Sequence, residues 1–124
     1  MKDSETRIQE IKEVLREFVK EREWERFHTP KDLAIAVATE AAEVMEHFRF
    51  RNNEELKEYL EENKKALSHE MADVLSFLVR LADVTGIDLA EAFEEKMKHN
   101  DGRFPVELAK GKGWMEVKER EKQR

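Results

Sequence analysis

The sequence predicts an all-α fold, a bundle of four main helices. Three observations carry that expectation. Apolar residues recur every three or four positions in four long segments. The 124 residues include only 4 Gly and 2 Pro, too few for the many turns of a sandwich or barrel. No segment survives as a strand candidate once the helical segments are assigned. A chain of this length makes one domain. It is expected over residues 1–110, followed by a charged tail over residues 111–124.

The first helix is expected over residues 4–22, with Ser4 as N-cap and Ile8, Ile11, Leu15, Phe18 and Val19 at helix spacing. A break follows at Phe27-His28, and Thr29-Pro30 suits a new helix start, with Pro in the first turn. The second helix then covers residues 31–48. Its apolar residues occupy more than one side: Leu33, Val37, Ala41, Val44, Met45 and Phe48 on one, Ile35, Ala38 and Ala42 elsewhere. A helix this apolar is central. Four helices of this length leave part of it uncovered, so a dimer or tetramer is expected.

Residues 49–53 read as a loop and residues 54–62 as a short, exposed, charged helix. Residues 64–84 carry an unbroken stripe of Leu67, Met71, Val74, Leu75, Leu78, Leu81 and Ala82, closed by Gly86 as C-cap. Asp88 is expected to cap a last helix over residues 89–99, ended by Asn100-Asp101-Gly102. A Gly111-Lys112-Gly113 turn and Trp114 then lead into a tail expected to fray.

Composition narrows the function. Charged residues are 42% of the chain, and no apolar run approaches the ~20 residues of a spanning helix. No membrane role is expected. A net charge of −6 gives no basic face for a nucleic acid backbone. The absence of Cys removes disulfides and thiolate zinc sites. The charged N-terminus carries no signal-peptide pattern, so a cytoplasmic location is expected.

Four carboxylates stand out because they sit on apolar helices. Glu40 and Glu43 are three apart in the second helix, and Glu70 and Asp73 are three apart in the third. Each pair therefore lies on one helix face, one turn apart. No Lys or Arg lies within four residues of Glu40 or Glu43. Unpaired carboxylates on buried helices repel one another and lose hydration, so a cation is expected between them. Hard oxygen donors without Cys or paired His favour Mg²⁺, or Mn²⁺, over zinc. Solvated acids paired with a distant Arg are the competing reading. A di-iron bundle is disfavoured, because its signature is Glu-x-x-His on two helices. Here the only such pair is Glu25 and His28, in a chain break.

With these motifs in order, the chain resembles the MazG-like nucleoside triphosphate pyrophosphohydrolases, and within them the dCTP pyrophosphatase branch. The resemblance rests on the Glu40/Glu43 and Glu70/Asp73 pairs. It rests also on the approach Arg22-Glu23-Trp24-Glu25-Arg26-Phe27-His28-Thr29-Pro30, and on Lys96 to Pro105, which matches K-x-x-x-N-x-x-R-[FY]-P. It spans about residues 11–105. It implies an all-α fold with closely paired subunits, commonly a tetramer of two dimers. It also implies Mg²⁺-dependent cleavage of a nucleoside triphosphate to monophosphate and pyrophosphate, a housecleaning of the nucleotide pool.

By matching position, Glu40, Glu43, Glu70 and Asp73 would hold the metal. Lys96, Asn100 and Arg103 would face the phosphates or sugar, and Trp24 the base, with His28 beside it. Phe50 stands where the branch has a base-stacking Trp, Phe77 where it has a Tyr, and Leu15 where a His contacts the nucleotide. The triphosphate machinery is thus matched better than the base pocket, which supports the substrate class rather than dCTP itself. Glu43 or Glu40 is the expected base that accepts the proton of the attacking water. Taken alone, Lys96 and Arg103 read as surface cations, Asn100 as a helix terminator, and Phe50 and Phe77 as core. A nucleotide-binding regulatory module, or a helical interaction module without turnover, is the alternative function.

Overall fold

The computed structural model describes residues 1–122, and every regular element among them is helical. In chain order these are α1 (Ile8–Glu21), α2 (Pro30–Glu46), α3 (Asn53–Thr85), α4 (Leu89–Arg103), α5 (Val106–Ala109) and α6 (Trp114–Lys122), with a 3₁₀ turn at Glu25–Phe27. The chain divides into two compact units, Met1–Asp88 and the segment from Leu89 onward.

In the first unit α3 is the spine, and both α2 and α1 pack on it. The core is small: Val19 of α1, Leu33 of α2, and Val79 and Ala82 of α3. Large apolar side chains of α2 and α3 stay exposed, among them Ile35, Met45, Met71, Leu75 and Leu78. Thus the stripe read from the sequence exists, but one chain buries only part of it.

Several expected boundaries move, each for a local reason. Helix α1 starts at Ile8 rather than after Ser4, and its N-cap, Arg7, makes no side-chain cap bond. The chain leaves α1 through a Schellman-type turn in which Glu23 takes a left-handed φ of 55°. The Glu23 N–H donates to Lys20 O (3.1 Å) and the Trp24 N–H to Val19 O (3.0 Å). Trp24 packs edge-on against Phe18, with ring centroids 5.8 Å apart. Glycine usually fills that left-handed position, so the sequence carried no sign of this turn. Helix α2 begins as expected: Thr29 accepts from the Asp32 N–H (3.1 Å) and Pro30 occupies the first turn.

The largest change is in α3. The short charged helix and the long apolar one are a single helix of 33 residues. Asn52 caps it by accepting from the Glu55 N–H (2.9 Å). The charged stretch between them contains neither Gly nor Pro, so nothing interrupts the backbone ladder. Gly86 ends α3 with φ 72°, and the Ile87 N–H closes on Ala82 O (2.8 Å).

The second unit differs from expectation as well. Helix α4 passes through Asn100-Asp101-Gly102 and ends at Arg103, so Asn100 is not a terminator. Most of the expected fraying tail is the helix α6, anchored by the buried Val117. Gln123 and Arg124 of that tail lie outside the described residues.

Candidate active site

The packing of α2 on α3 brings the four singled-out carboxylates into one cluster. Glu40 feels the other three: its carboxyl is raised above the ordinary value first by burial, then by Glu43, Asp73 and Glu70. One of its oxygens, Oε2, is buried without a hydrogen-bond partner among the described residues. Glu43 and Asp73 are exposed, and Glu70 is half-buried. As placed, no three or more His, Asp or Glu side chains among the described residues stand together closely enough to hold a metal ion. The site is a cluster of acids around an orphaned oxygen, which costs free energy unless a cation joins it. The donor set fits a hard divalent ion, since it is all oxygen and contains no thiolate.

Glu70 has a partner that sequence reading missed. Its Oε2 pairs with His47 Nε2. On the other side of the ring, His47 Nδ1 meets the Tyr59 hydroxyl at 2.5 Å. The Arg51 guanidinium lies over the Tyr59 ring at 3.6 Å and donates to His47 O at 2.7 Å. These residues, with Glu43 and Glu46, line a polar depression of about 250 Å³. A signal was present: Tyr59 and Glu70 are eleven residues apart, three turns along one helix face. That relation appears only once α3 is known to be continuous.

A second cavity, of about 340 Å³, opens between α1, α3 and the segment ahead of α2. Leu15, Phe18, Val19 and Trp24 form one wall, and Asp73, Ser76, Phe77 and Arg80 of α3 the other, with His28 at the edge. Of the residues assigned to a nucleotide, Trp24, His28 and Phe77 are therefore together, and Leu15 is with them. Asp73 belongs both to this cavity and to the acidic cluster. His28 bonds a side chain: the Arg80 Nε–H donates to its Nδ1 at 3.1 Å. Burial first, then the Arg80 charge, holds the imidazole below its ordinary value.

Behind Arg80 lies an ion-pair network absent from the sequence reading. Arg16 of α1 grips Asp83 of α3 with two short bonds, 2.7 and 2.6 Å. Asp83 also faces Arg80 Nη1 at 3.4 Å. The Arg16 hydrogen bond is the main reason the Asp83 carboxyl sits below its usual range, against the opposing effect of burial.

Phe50 is not part of this cavity. It is 80% exposed beyond the end of α2, with the Arg49 guanidinium 4.7 Å from its ring centroid. It is therefore not core within one chain either. Lys96, Asn100 and Arg103 lie in the second unit, on α4, at spacings of four and three that put them on one helix face. The Arg103 guanidinium lies 5.1 Å from the Phe104 ring centroid.

Comparison with known proteins gives the family and the overall fold. The sequence profile of the MazG-like family matches residues 35–114. The chain is 36% identical over 110 residues to dCTP pyrophosphatase 1 of Bos taurus, covering 87% of this chain and 65% of that protein. It is 35% identical over 108 residues to the Homo sapiens protein of the same name, covering 86% of this chain and 64% of that one. The chain thus spans just under two thirds of the length of these curated relatives. Among solved structures it resembles that of a pyrophosphatase from Archaeoglobus fulgidus, with a TM-score of 0.76 and 38% identity, covering 85% of this chain and 98% of that one.

Proposed function

The chain belongs to the MazG-like family, and on that premise we propose that it hydrolyses a nucleoside triphosphate, ribo or deoxy, to the monophosphate and pyrophosphate. The physiological role in this reading is clearance of unwanted nucleotides. One observation carries it furthest. Glu40 keeps a buried, unpartnered oxygen while three other carboxylates of the two packed helices, Glu43, Glu70 and Asp73, act on it, and one of them, Asp73, also walls an aromatic cavity. The names of the relatives, dCTP pyrophosphatase 1 and a pyrophosphatase, support the same reaction class.

In this reading Glu40, Glu43, Glu70 and Asp73 hold Mg²⁺, or Mn²⁺ in its place. A divalent ion there supplies positive charge to a triphosphate and lowers the pKa of a water. Glu40 or Glu43 accepts the proton of the water that attacks the α-phosphorus. His47, fixed by Tyr59, holds Glu70 in one orientation, the usual work of a group behind a ligand. Trp24 and Phe77 offer aromatic surface to the base. By the family resemblance alone, Lys96 and Arg103 would contribute charge for the phosphates, and Asn100 an amide for phosphate or sugar. Phe50 joins the base site only if a second subunit or a loop movement brings it there.

The test is product identity. With Mg²⁺ and a deoxynucleoside triphosphate in ¹⁸O-water, the label is expected in the monophosphate, with unlabelled intact pyrophosphate. Diphosphate plus orthophosphate, or label confined to orthophosphate, would overturn the reaction. Nucleotide binding without turnover across a panel of triphosphates would favour a regulatory module instead.

Self-association belongs to the same proposal. Ile35 and Met45 on α2, and Met71, Leu75 and Leu78 on α3, are apolar and exposed in a single chain. Burying such a face is favourable at ~25 cal/mol per Å². A dimer or tetramer is expected, so light scattering at micromolar concentration should return a multiple of 14.7 kDa. A mass of one chain would contradict it.

A further inference from the structure

We propose that Arg80 is a positioning residue that makes His28 a hydrogen-bond donor through Nε2, and that this donor selects nucleobases carrying a ring carbonyl. The inference rests on the function proposed above and names the substrate class that the cavity prefers.

The chemistry begins with Arg80. It is only 7% exposed, yet it carries a permanent charge. A guanidinium has no acceptor, so its Nε–H can bond His28 Nδ1 only if that nitrogen offers its lone pair. The proton of the neutral ring is then on Nε2. Burial and the Arg80 charge both disfavour a second proton, which agrees with this tautomer.

The pair is held from both ends. Asp83 faces Arg80 Nη1 and is itself gripped by Arg16, so the guanidinium has an anchored counter-charge. The His28 backbone N–H donates to Glu25 O (3.1 Å), and the next residue, Thr29, caps α2. The imidazole therefore sits at the edge of the cavity with one nitrogen occupied and one donor left.

Besides His28, the cavity's side-chain donors are the Trp24 indole N–H and the Arg80 guanidinium, which is engaged by His28 and Asp83. Leu15, Phe18, Val19 and Phe77 supply apolar wall, and the Ser76 hydroxyl donates to Ala72 O (2.8 Å). Asp73 only accepts when ionised. At about 340 Å³ the cavity is at the small end of the ~300–1,000 Å³ of ligand sites, a size for one base rather than a whole nucleotide. A fixed donor in a mostly apolar pocket favours a carbonyl oxygen and disfavours an amino group. Cytosine, thymine and guanine each present a ring carbonyl, and adenine presents none.

Two measurements on the full chain test this. The first is ¹⁵N NMR of the His28 ring, assigned by its loss in His28→Gln. The wild type is expected to show Nδ1 bare and Nε2 protonated, and Arg80→Met a mixture of tautomers. A wild-type ring protonated on Nδ1, or a pattern unchanged in Arg80→Met, would overturn the proposal. The second is a panel of dCTP, dTTP, dGTP and dATP with Mg²⁺. The three carbonyl bases are expected to exceed dATP by about tenfold or more in kcat/KM. Arg80→Met should raise their KM several-fold with little change in kcat. His28→Phe should erase the preference, while His28→Gln, which keeps a donor, should retain part of it. Equal losses for all four triphosphates would overturn the proposal. If Arg80→Met does not fold, the two His28 variants decide the matter. If the wild type turns over none of the four, it is the function reading that falls. The tautomer pattern and base-selective thermal stabilisation by the four nucleotides then decide this one.

Discussion

Glu40→Gln should lose at least about 10²-fold in kcat, the scale of removing one preorganised charge from a reacting site, and should melt higher than the wild type without metal. Both effects have one cause. Glu40 is one of the two half-buried acids of the four in the cluster, and its Oε2 has no partner among the described residues. In the metal-free protein that arrangement is unfavourable, because burial and three neighbouring carboxylates all oppose its charge. The amide carries no charge to repel. With Mg²⁺ the comparison should reverse: an ion bound to the folded state would stabilise the wild type, and Glu40→Gln would forfeit most of that gain. Glu43→Gln, Glu70→Gln and Asp73→Asn should lose activity similarly, since each removes a charge from the same cluster. Melting curves with and without Mg²⁺, alongside turnover, check this. Near-wild-type turnover in two or more of the four variants would remove the metal assignment.

Asp83→Asn should lower the stability of the fold markedly. It strips the counter-charge from Arg80, whose side chain is 9% exposed, and releases Arg16. Breaking a buried pair by deleting one partner costs about 3 kcal/mol or more. For a domain whose total stability is ~5–15 kcal/mol that is a large share. A fall in Tm on the order of 10 °C is expected.

The pH dependence has a definite sign. The Asp83 carboxyl is depressed in the folded protein, chiefly by its hydrogen bond to Arg16. Between that value and the ordinary carboxylate value near 3.9 the unfolded chain binds more protons, so stability rises with pH. The contribution is complete above the ordinary range and is lost as pH falls through the depressed native value. The gap in Tm between wild type and Asp83→Asn should therefore narrow in acid. A gap that stays constant from neutral pH down to strongly acidic pH would show that the carboxylate charge is not what stabilises this corner.

Much of the molecule was legible along the chain. The 3–4 residue spacing of Leu67 to Ala82 specified a helix, Thr29-Pro30 its predecessor's start, and Gly86 its own end. Such signals are local: a cap, a ring that sets φ, or a side chain whose absence permits a left-handed turn. The acidic pairs were legible for the same reason, since a spacing of three places two residues on one face whatever surrounds the helix. The missing local charge near Glu40 already marked it as a carboxylate without a counter-charge on its own helix.

Other features depended on distance in space. Whether residues 54–84 form one helix or two turned on the absence of any breaker over a charged stretch, and that continuity aligned Tyr59 with Glu70 and let His47 bridge them. Glu23 adopts a glycine-like conformation in the turn that brings Trp24 against Phe18, a contact that propensity does not encode. Arg16, Asp83, Arg80 and His28 come from three parts of the chain. Arg16, Asp83 and Arg80 each read alone as an ordinary surface residue, and His28 only as a neighbour of Trp24. Only packing of α1 on α3 buries the guanidinium, and burial is what turns an Arg into a fixed donor and a His into a chosen tautomer. Identity and spacing thus determined the helices and the acidic pairs by themselves. The partners of those acids, and the polarity of the cavity beside them, were decided by the tertiary structure, because hydrogen bonds and desolvation act between neighbours in space whatever their separation along the chain.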